Sequence, residues 1–131
     1  GGDFANPDTY QKFWCDMQMY TTTMTQPDPQ TFMEQYCSWD VAQKDNKWAK
    51  RNIARWRSDE YDKLHTAAQA EMDPVKRAAM FMKLNDLACS DAYVQPGVYR
   101  PRASAAVNKL GAPLSGWDND MWALPHWYKD A

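Results

Sequence analysis

Two helix-forming segments follow one another with no linker, and this feature constrains the fold more than any other. Ser58 can cap the first helix, and acidic residues follow it where a helix N-terminus favours negative charge. Asp73-Pro74 is a cap followed by a first-turn proline, and the second helix runs to about Ser90. Both segments carry apolar residues at helical spacing. The sequence therefore predicts two helices that meet at a tight joint.

The chain before these helices changes its hydrophobic period twice. Residues 9–14 have a short helical spacing of aromatics, and residues 15–23 then alternate between two faces, which is typical of a half-buried strand. Pro27 and Pro29 cannot donate ladder hydrogen bonds, so the strand must end before them. Pro29 is well placed to open a helix at its first position. That helix carries apolar residues at helical spacing, namely Phe32, Met33, Tyr36 and Cys37.

The remaining segments predict a mixed α and β fold that lacks part of its sheet. Residues 40–52 are polar and predict a long surface loop with Trp39 and Trp48 near its ends. Residues 92–101 and 102–110 predict two short extended segments. These strands are too few to cover two long helices. We therefore interpret residues 1–131 as a single partial domain, with residues 111–131 as a tail.

Charge and hydropathy exclude two classes of partner. The formal net charge is -2, so the chain has no basic surplus of the kind that binds nucleic acid. No apolar run approaches the roughly 20 residues that a bilayer-spanning helix needs. The first ten residues have neither the basic nor the apolar region of a signal peptide. We expect a soluble chain whose targeting signal is missing or already removed.

The sequence offers no anchor for catalysis or metal binding. Cys15, Cys37 and Cys89 form no CxxC pair, and their odd number allows at most one internal disulfide. His65 and His126 are far apart, which favours structural or surface roles. No nucleophile elbow, zinc-binding helix or phosphate-binding glycine loop is present. We expect no catalytic residue, no metal site and no cofactor.

Three elements in fixed order resemble a known family. They are the DP-x-x-F turn of "TQPDPQTF" at residues 25–32, the "NIARWRSDEYD" segment at residues 52–62, and the "DPVKRAAMFMKLNDL" helix that precedes a strand ending in proline. Together they resemble the C-terminal part of the periplasmic substrate-binding proteins of peptide and nickel-type ABC transporters. The resemblance covers about residues 15–110. It implies the last part of the second lobe of a two-lobe fold, with the N-terminal part of the same protein missing.

The resemblance also implies a function. A relative of this kind binds a small ligand between its lobes in the periplasm and delivers it to the transporter's permease. The strand and turn before the DP step would line the cleft, so its residues would face the ligand: Thr22, Thr23, Met24, Thr25 and Gln26. Oligopeptide-binding relatives place an Asp where this chain has Thr25. The expected ligand is therefore a peptide-like, opine-like or sugar-conjugate molecule.

Three further residues border the cleft by the same resemblance. Asn52, Arg55 and Trp56 follow the polar loop; Arg55 could pair with a ligand carboxylate, and Trp56 could stack on the ligand. A solvated arginine and a core tryptophan are the alternative roles. Either Trp39 or Trp48 could form a lid, and Asp28 could instead serve the turn through an Asx-type hydrogen bond.

A second function of a different class stays open. The chain contains seven Trp, seven Tyr and eight Met, which pack cores but also form interfaces. A separated lobe would expose the surface that its partner covered. The alternative hypothesis is a self-associating interaction module, a homo-oligomer without ligand transport.

Overall fold

The protein has a mixed α and β fold, as the sequence predicted. A computed structural model describes residues 10–99, 101, 103, 105–113 and 123–130. Its helices are α1 (Gln30–Glu34), α2 (Asp59–Ala70) and α3 (Pro74–Ser90), and its strands are β1 (Leu110–Gly111) and β2 (Tyr128–Lys129). Short 3₁₀ turns lie at Ser38–Asp40, Lys44–Asn46 and Leu124–His126. None of the described helices is both long and apolar enough to cross a membrane.

The predicted joint between the two long helices is confirmed. The Ser58 hydroxyl accepts a hydrogen bond from the backbone N–H of Tyr61 at 3.3 Å, which caps α2. The Asp73 carboxylate accepts from the backbone N–H groups of Val75 and Lys76, at 2.9 and 3.3 Å, and Pro74 begins α3. Each cap satisfies donors that the first turn of a helix leaves free. These local hydrogen bonds and Pro74 therefore define the residues at which α2 and α3 begin.

The core lies where α1, α2 and α3 meet. Tyr61 is fully buried, and its hydroxyl donates to the backbone oxygen of Met33 at 2.7 Å, which ties α2 to α1. The Trp56 ring meets the Tyr61 ring edge to face at 5.0 Å. Burying each such large side chain contributes about 1.5–3 kcal/mol. The same cluster includes Tyr36, Cys37, Ala68, Phe81, Leu84 and Ala88.

The strand predicted at residues 15–23 is wrong. This segment has no regular secondary structure, and Met17 and Met19 are 88% and 96% exposed. An alternating pattern needs a neighbouring strand to provide ladder hydrogen bonds, and none lies beside this segment among the described residues. The helical spacing of aromatics at residues 9–14 also does not produce a helix among the described residues 10–14. Residues 10–12 form a turn, and Phe13 has a φ of 47°.

The loop predicted at residues 40–52 is on the surface only at its tip. Asp40, Val41, Ala42 and Asn52 are buried at its base, where Val41 and Asn52 form an isolated parallel bridge. The backbone N–H of Asn52 donates to the Asp40 oxygen at 2.9 Å, and that of Ala42 donates to the Asn52 oxygen at 3.1 Å. The prediction of a surface excursion was therefore wrong for the base, because long-range hydrogen bonds close the loop.

The C-terminal part forms one short antiparallel pair. Leu110 lies opposite Lys129, and Gly111 lies opposite Tyr128. A Cβ at Gly111 would lie 2.4 Å from the Tyr128 ring, so a larger residue there would require this exposed ring to move. The extended segments predicted at residues 92–101 and 102–110 form no strand before β1 among their described residues. The predicted tail, residues 111–131, contributes Gly111 to β1 and Tyr128–Lys129 to β2.

An ion pair joins the proline turn to α3. The Arg77 guanidinium donates to both Asp28 carboxylate oxygens, at 2.6 and 3.1 Å, and to the side-chain oxygen of Gln30 at 2.8 Å. Asp28 also accepts from the backbone N–H of Gln30 at 2.8 Å, the Asx-type bond that the sequence suggested. Because Pro29 at the N-cap provides no side-chain cap, Asp28 supplies the missing acceptor for α1.

This ion pair predicts a pH-dependent loss of stability. The hydrogen bonds from Arg77, and then that from the Gln30 backbone, lower the pKa of Asp28 below its ordinary value of 3.8. A lowered folded pKa gives stability that is present above 3.8 and is lost as the pH falls through the folded pKa. Asp28→Asn should cost only about 0.5–1 kcal/mol near neutrality, because the pair is largely exposed.

The measurement is urea unfolding followed by tryptophan fluorescence, from about pH 6 to about pH 3. The difference in unfolding free energy between wild type and Asp28→Asn should shrink as the pH falls. Asp86→Asn, which removes an exposed carboxylate from α3, is the matched control. A difference that stays constant over this range would contradict the ion-pair account.

Candidate functional site

A small concave pocket lies beside the proline turn, and we call it the threonine pocket. Its volume is about 210 Å³. Five of its residues are the predicted ligand-facing segment 22–26, and helix α1 and the loop add the rest. The lining residues are Thr22, Thr23, Met24, Thr25, Gln26, Thr31, Phe32, Gln35 and Arg51. The structure therefore brings five of the eight predicted site residues to one surface.

Side-chain hydrogen bonds hold the pocket wall in the absence of a strand. The Thr22 hydroxyl donates to the side-chain oxygen of Gln35 at 3.2 Å, and the Gln35 amide donates to the Phe32 backbone oxygen at 2.8 Å. The Gln26 amide donates to the Thr31 hydroxyl at 3.0 Å. These bonds tie the segment to α1. The wall therefore presents hydroxyl and amide groups, which can both donate and accept.

Arg51 lies on the pocket wall and is held by two carboxylates. Its Nε donates to Asp40 Oδ2 at 2.7 Å, and one terminal nitrogen donates to Glu34 Oε2 at 3.1 Å. The other terminal nitrogen donates to the Thr31 backbone oxygen at 3.0 Å. Partial burial lowers the pKa of Arg51, but the bonds to Asp40 and Glu34 more than offset this and raise the pKa above its ordinary value. The guanidinium is therefore charged and fixed in position.

Asn52 was a predicted ligand contact, but its side chain points into the fold. The residue is 3% exposed, and its side-chain nitrogen lies 3.2, 3.1 and 2.9 Å from the backbone oxygens of Tyr36, Cys37 and Trp56. An amide has two N–H donors, and these three oxygens use both. Asn52 therefore fastens the turn after α1 to the segment that precedes α2.

Arg55 and Trp56 are likewise bound within the chain. Arg55 has a φ of 57°, its guanidinium donates to the backbone oxygens of Ala42 (3.1 Å) and Lys12, and it lies 5.0 Å over the Trp48 ring. Trp56 is 3% exposed, and its indole N–H donates to Asp91. Neither residue lines the threonine pocket. Their assignment as ligand contacts stays a prediction that the geometry does not favour.

A second concavity, the α3 groove, is larger and more apolar. It has a volume of about 580 Å³ and lies along α3 from Pro74 to Asp86. Its main cation, Arg77, is already paired with Asp28. The other polar residues that line the groove are Asn85 and Asp86, both on α3. Its lining includes Pro29, Met33, Met72, Pro74, Ala78, Phe81 and Met82.

The buried thiol of Cys37 is not an activated nucleophile. Burial raises the pKa of the Cys37 thiol to about 12, and the nearby charges of Asp62, Glu34 and Asp40 add to this effect. A thiol with such a pKa is protonated at neutral pH and unreactive. Cys15, Cys37 and Cys89 are all free, so the one disulfide that their number allowed is not formed. No cluster of potential metal ligands occurs among the described residues.

His65 has a structural role, which was one of the two predicted for it. The residue is fully buried, and its Nε2 lies 3.1 Å from the Gln30 backbone oxygen. A carbonyl only accepts, so Nε2 carries the proton. The imidazole packs edge to face on Trp39 at 5.8 Å. His65 therefore joins α2 to the start of α1, and the predicted alternative of a surface role was wrong.

Comparison with known proteins gives no relative for this chain. No protein family, no curated protein and no solved structure matches it. The candidate site therefore depends on the geometry of its own residues.

Four pocket residues were not predicted from the sequence, namely Thr31, Phe32, Gln35 and Arg51. Gln35 and Arg51 belong to segments with no distinct motif, and Arg51 reaches its carboxylate partners from 11 and 17 residues away. One pattern in the sequence could have identified Gln35. Thr31 and Gln35 are four residues apart, which puts both near one face of a helix. Arg51 offered no such local signal, because its position depends on closure of the loop.

The role of Asn52 predicts a large loss of stability on truncation. Asn52→Ala removes the donors of three buried carbonyl oxygens, which should lower the unfolding free energy by about 2–4 kcal/mol. Asn52→Asp keeps the shape but has no N–H donor, so it should be at least as destabilising. The measurement is urea unfolding, with Asn85→Ala on the exposed side of α3 as control, expected to change stability by at most about 0.5 kcal/mol. Equal effects at the two positions would contradict this role.

Proposed function

We propose that the chain is part of the second lobe of an extracytoplasmic solute-binding protein of the peptide and nickel-type ABC importers. The observation that carries the proposal is that residues 22–26 line a pocket with hydroxyl and amide groups on its wall. These are the residues that the sequence resemblance assigns to the ligand cleft. Hydroxyl and amide groups from two segments, residues 22–26 and 31–35, converge there. The protein would collect its ligand in the periplasm and deliver it to a permease.

The pocket is suited to one part of a ligand. Pockets that enclose a whole small molecule have volumes of about 300–1,000 Å³, whereas the threonine pocket has about 210 Å³. A lobe that provides half of a cleft would have such a shallow, open site. The missing N-terminal part of the protein would supply the other wall and the remaining contacts.

The proposed mechanism is closure of two lobes around the ligand, without chemistry. A ligand shifts the balance between open and closed states only by the difference in its affinity for them. Contacts to the threonine pocket alone exist in both states. Closure is favoured when the second lobe adds contacts to the same ligand. The closed form would then be the one that the permease recognises.

The proposed ligand is peptide-like, opine-like or a sugar conjugate. Such molecules carry amide, hydroxyl and carbonyl groups, and burying these without partners is costly. Threonine hydroxyls and the Gln26 amide can satisfy them. The pocket has no carboxylate at Thr25 to pair with a peptide ammonium group. Free oligopeptides held by the amino terminus are therefore the least favoured of these ligands.

The proposal predicts weak binding localised to the pocket. In an ¹H–¹⁵N NMR titration of the chain with alanyl-alanine, octopine or methyl glucoside, the shift changes should cluster at residues 22–26. Dissociation constants should be about 1 mM or weaker, because half of the contacts are absent. Thr25→Val should weaken binding about fivefold, the worth of one hydroxyl hydrogen bond.

Thr66→Val in α2 is the matched control and should leave the affinity unchanged, since Thr66 is exposed and its hydroxyl donates to the Asp62 backbone oxygen. Two results would count against the proposal. One is micromolar or tighter binding by this chain alone. The other is the absence of shift changes at residues 22–26 with all three classes of probe.

A second candidate function is self-association, and the apolar α3 groove favours it. Met72, Val75 and Met82 are 90%, 77% and 71% exposed at or near this groove. Contiguous apolar surface on a water-exposed chain usually marks a contact site. In this hypothesis a second copy of the chain covers the groove. The chain is then an interaction module without a transport role.

Sedimentation velocity across about a hundredfold concentration range tests this second function. Self-association predicts a species heavier than 15.2 kDa that grows with concentration. Met82→Glu should shift this species towards the monomer, because it places a charge in the apolar contact. Gln69→Glu, which adds the same charge at an exposed site of α2, should not. A single 15.2 kDa species at every concentration would exclude the hypothesis.

A further inference from the structure

The charge of Arg51 on the wall of the threonine pocket is fully balanced. Its guanidinium donates to Asp40 at 2.7 Å and to Glu34 at 3.1 Å, and Lys50 lies 3.6 Å from the second Asp40 oxygen. Two positive and two negative charges thus form one compact group. The Asp40 side chain is only 9% exposed and that of Arg51 is 45% exposed, so water screens the bond between them only in part. The group as a whole has no net charge.

This balance changes what Arg51 can offer a ligand. An unpaired guanidinium is a strong site for a carboxylate or phosphate. Here its Nε and one terminal nitrogen already bind carboxylates, and the other binds a backbone oxygen. A ligand anion that approached Arg51 would also approach Glu34 and Asp40. The repulsion from these two carboxylates would offset the attraction of the guanidinium.

We propose that the threonine pocket binds an uncharged polar group of the ligand, such as an amide or a hydroxyl, and that Glu34 and Asp40 set this preference by neutralising Arg51. The inference rests on the proposed function and narrows its ligand class. The N–H donors of Arg51 that its partners leave unused can bond a neutral oxygen. The threonine hydroxyls next to Arg51 can donate to or accept from the same group.

The test compares two probes that differ only at their C-terminal group, which is an uncharged amide in one and a charged carboxylate in the other. They are N-acetyl-dialanine as its N-methylamide and N-acetyl-dialanine as its free carboxylate. Both are titrated into the ¹⁵N-labelled chain, and the shift changes at residues 22–26 and at the Arg51 side-chain N–H are followed. Wild type should bind the amide at least about threefold more tightly than the carboxylate.

Glu34→Gln should reverse this preference. The change keeps the size of the side chain and removes one of the two charges that balance Arg51. Affinity for the carboxylate probe should rise about tenfold, the scale of a charge-assisted hydrogen bond, and should fall again with added salt. Affinity for the amide probe should change by less than about twofold. Adding Arg51→Gln to Glu34→Gln should remove the gained carboxylate affinity.

Glu60→Gln is the matched control. It makes the same substitution in α2, where Glu60 pairs with Lys83 at 2.6 Å and both side chains are exposed away from the pocket lining. It should leave the ratio of the two affinities unchanged. Circular dichroism melting curves establish that each variant is folded before its affinities are compared.

The outcomes separate this inference from the proposed function. If wild type prefers the carboxylate, with shift changes at residues 22–26, the inference is overturned and the ligand-binding role of the pocket stands. An unchanged ratio in Glu34→Gln overturns the inference in the same way. If neither probe changes the shifts of residues 22–26, both the inference and the role of the pocket are overturned.

Discussion

The side-chain amide of Asn52 is the contact on which the rest of the structure depends. It bonds backbone oxygens at Tyr36, Cys37 and Trp56, and so joins the turn after α1 to the segment that leads into α2. The Asn52 backbone N–H also donates to the Asp40 oxygen. These bonds close the base of the loop. They thereby bring Arg51, the preceding residue, to the Asp40 carboxylate and to the wall of the threonine pocket.

The elements that the sequence predicted well are those with local causes. Ser58 and Asp73-Pro74 cap α2 and α3 within one turn of chain, so both helices could be located without knowledge of their neighbours. The strand predicted at residues 15–23 failed for the opposite reason. An alternation of apolar and polar residues forms a strand only where a second strand supplies the interstrand hydrogen bonds. The segment itself carries no information on whether such a second strand is present.

The same distinction explains which site residues could be predicted. Residues 22–26 are contiguous. Their assignment to one wall of the pocket therefore required only that this one stretch of chain be identified. Arg51 and Arg55 are four residues apart, and both have a charge that suits a ligand. Their roles differ because Arg55 has a left-handed backbone and donates to Ala42, whereas Arg51 reaches the pocket. The two arginines have different roles because closure of the loop by Asn52 brings Arg51, but not Arg55, to the pocket wall.

The group formed by Arg51, Asp40 and Glu34 contributes more to the pocket than to the fold. Arg51 and Glu34 are partly exposed, and exposed ion pairs contribute at most about 1 kcal/mol. For the more buried Asp40, the cost of removing the charge from water is close to the gain from its pairing. The net effect on stability is therefore small. Its effect on the pocket is larger, because Arg51 is the only cation among the described residues that line it. Pairing Arg51 thus turns a potential anion site into a neutral polar surface.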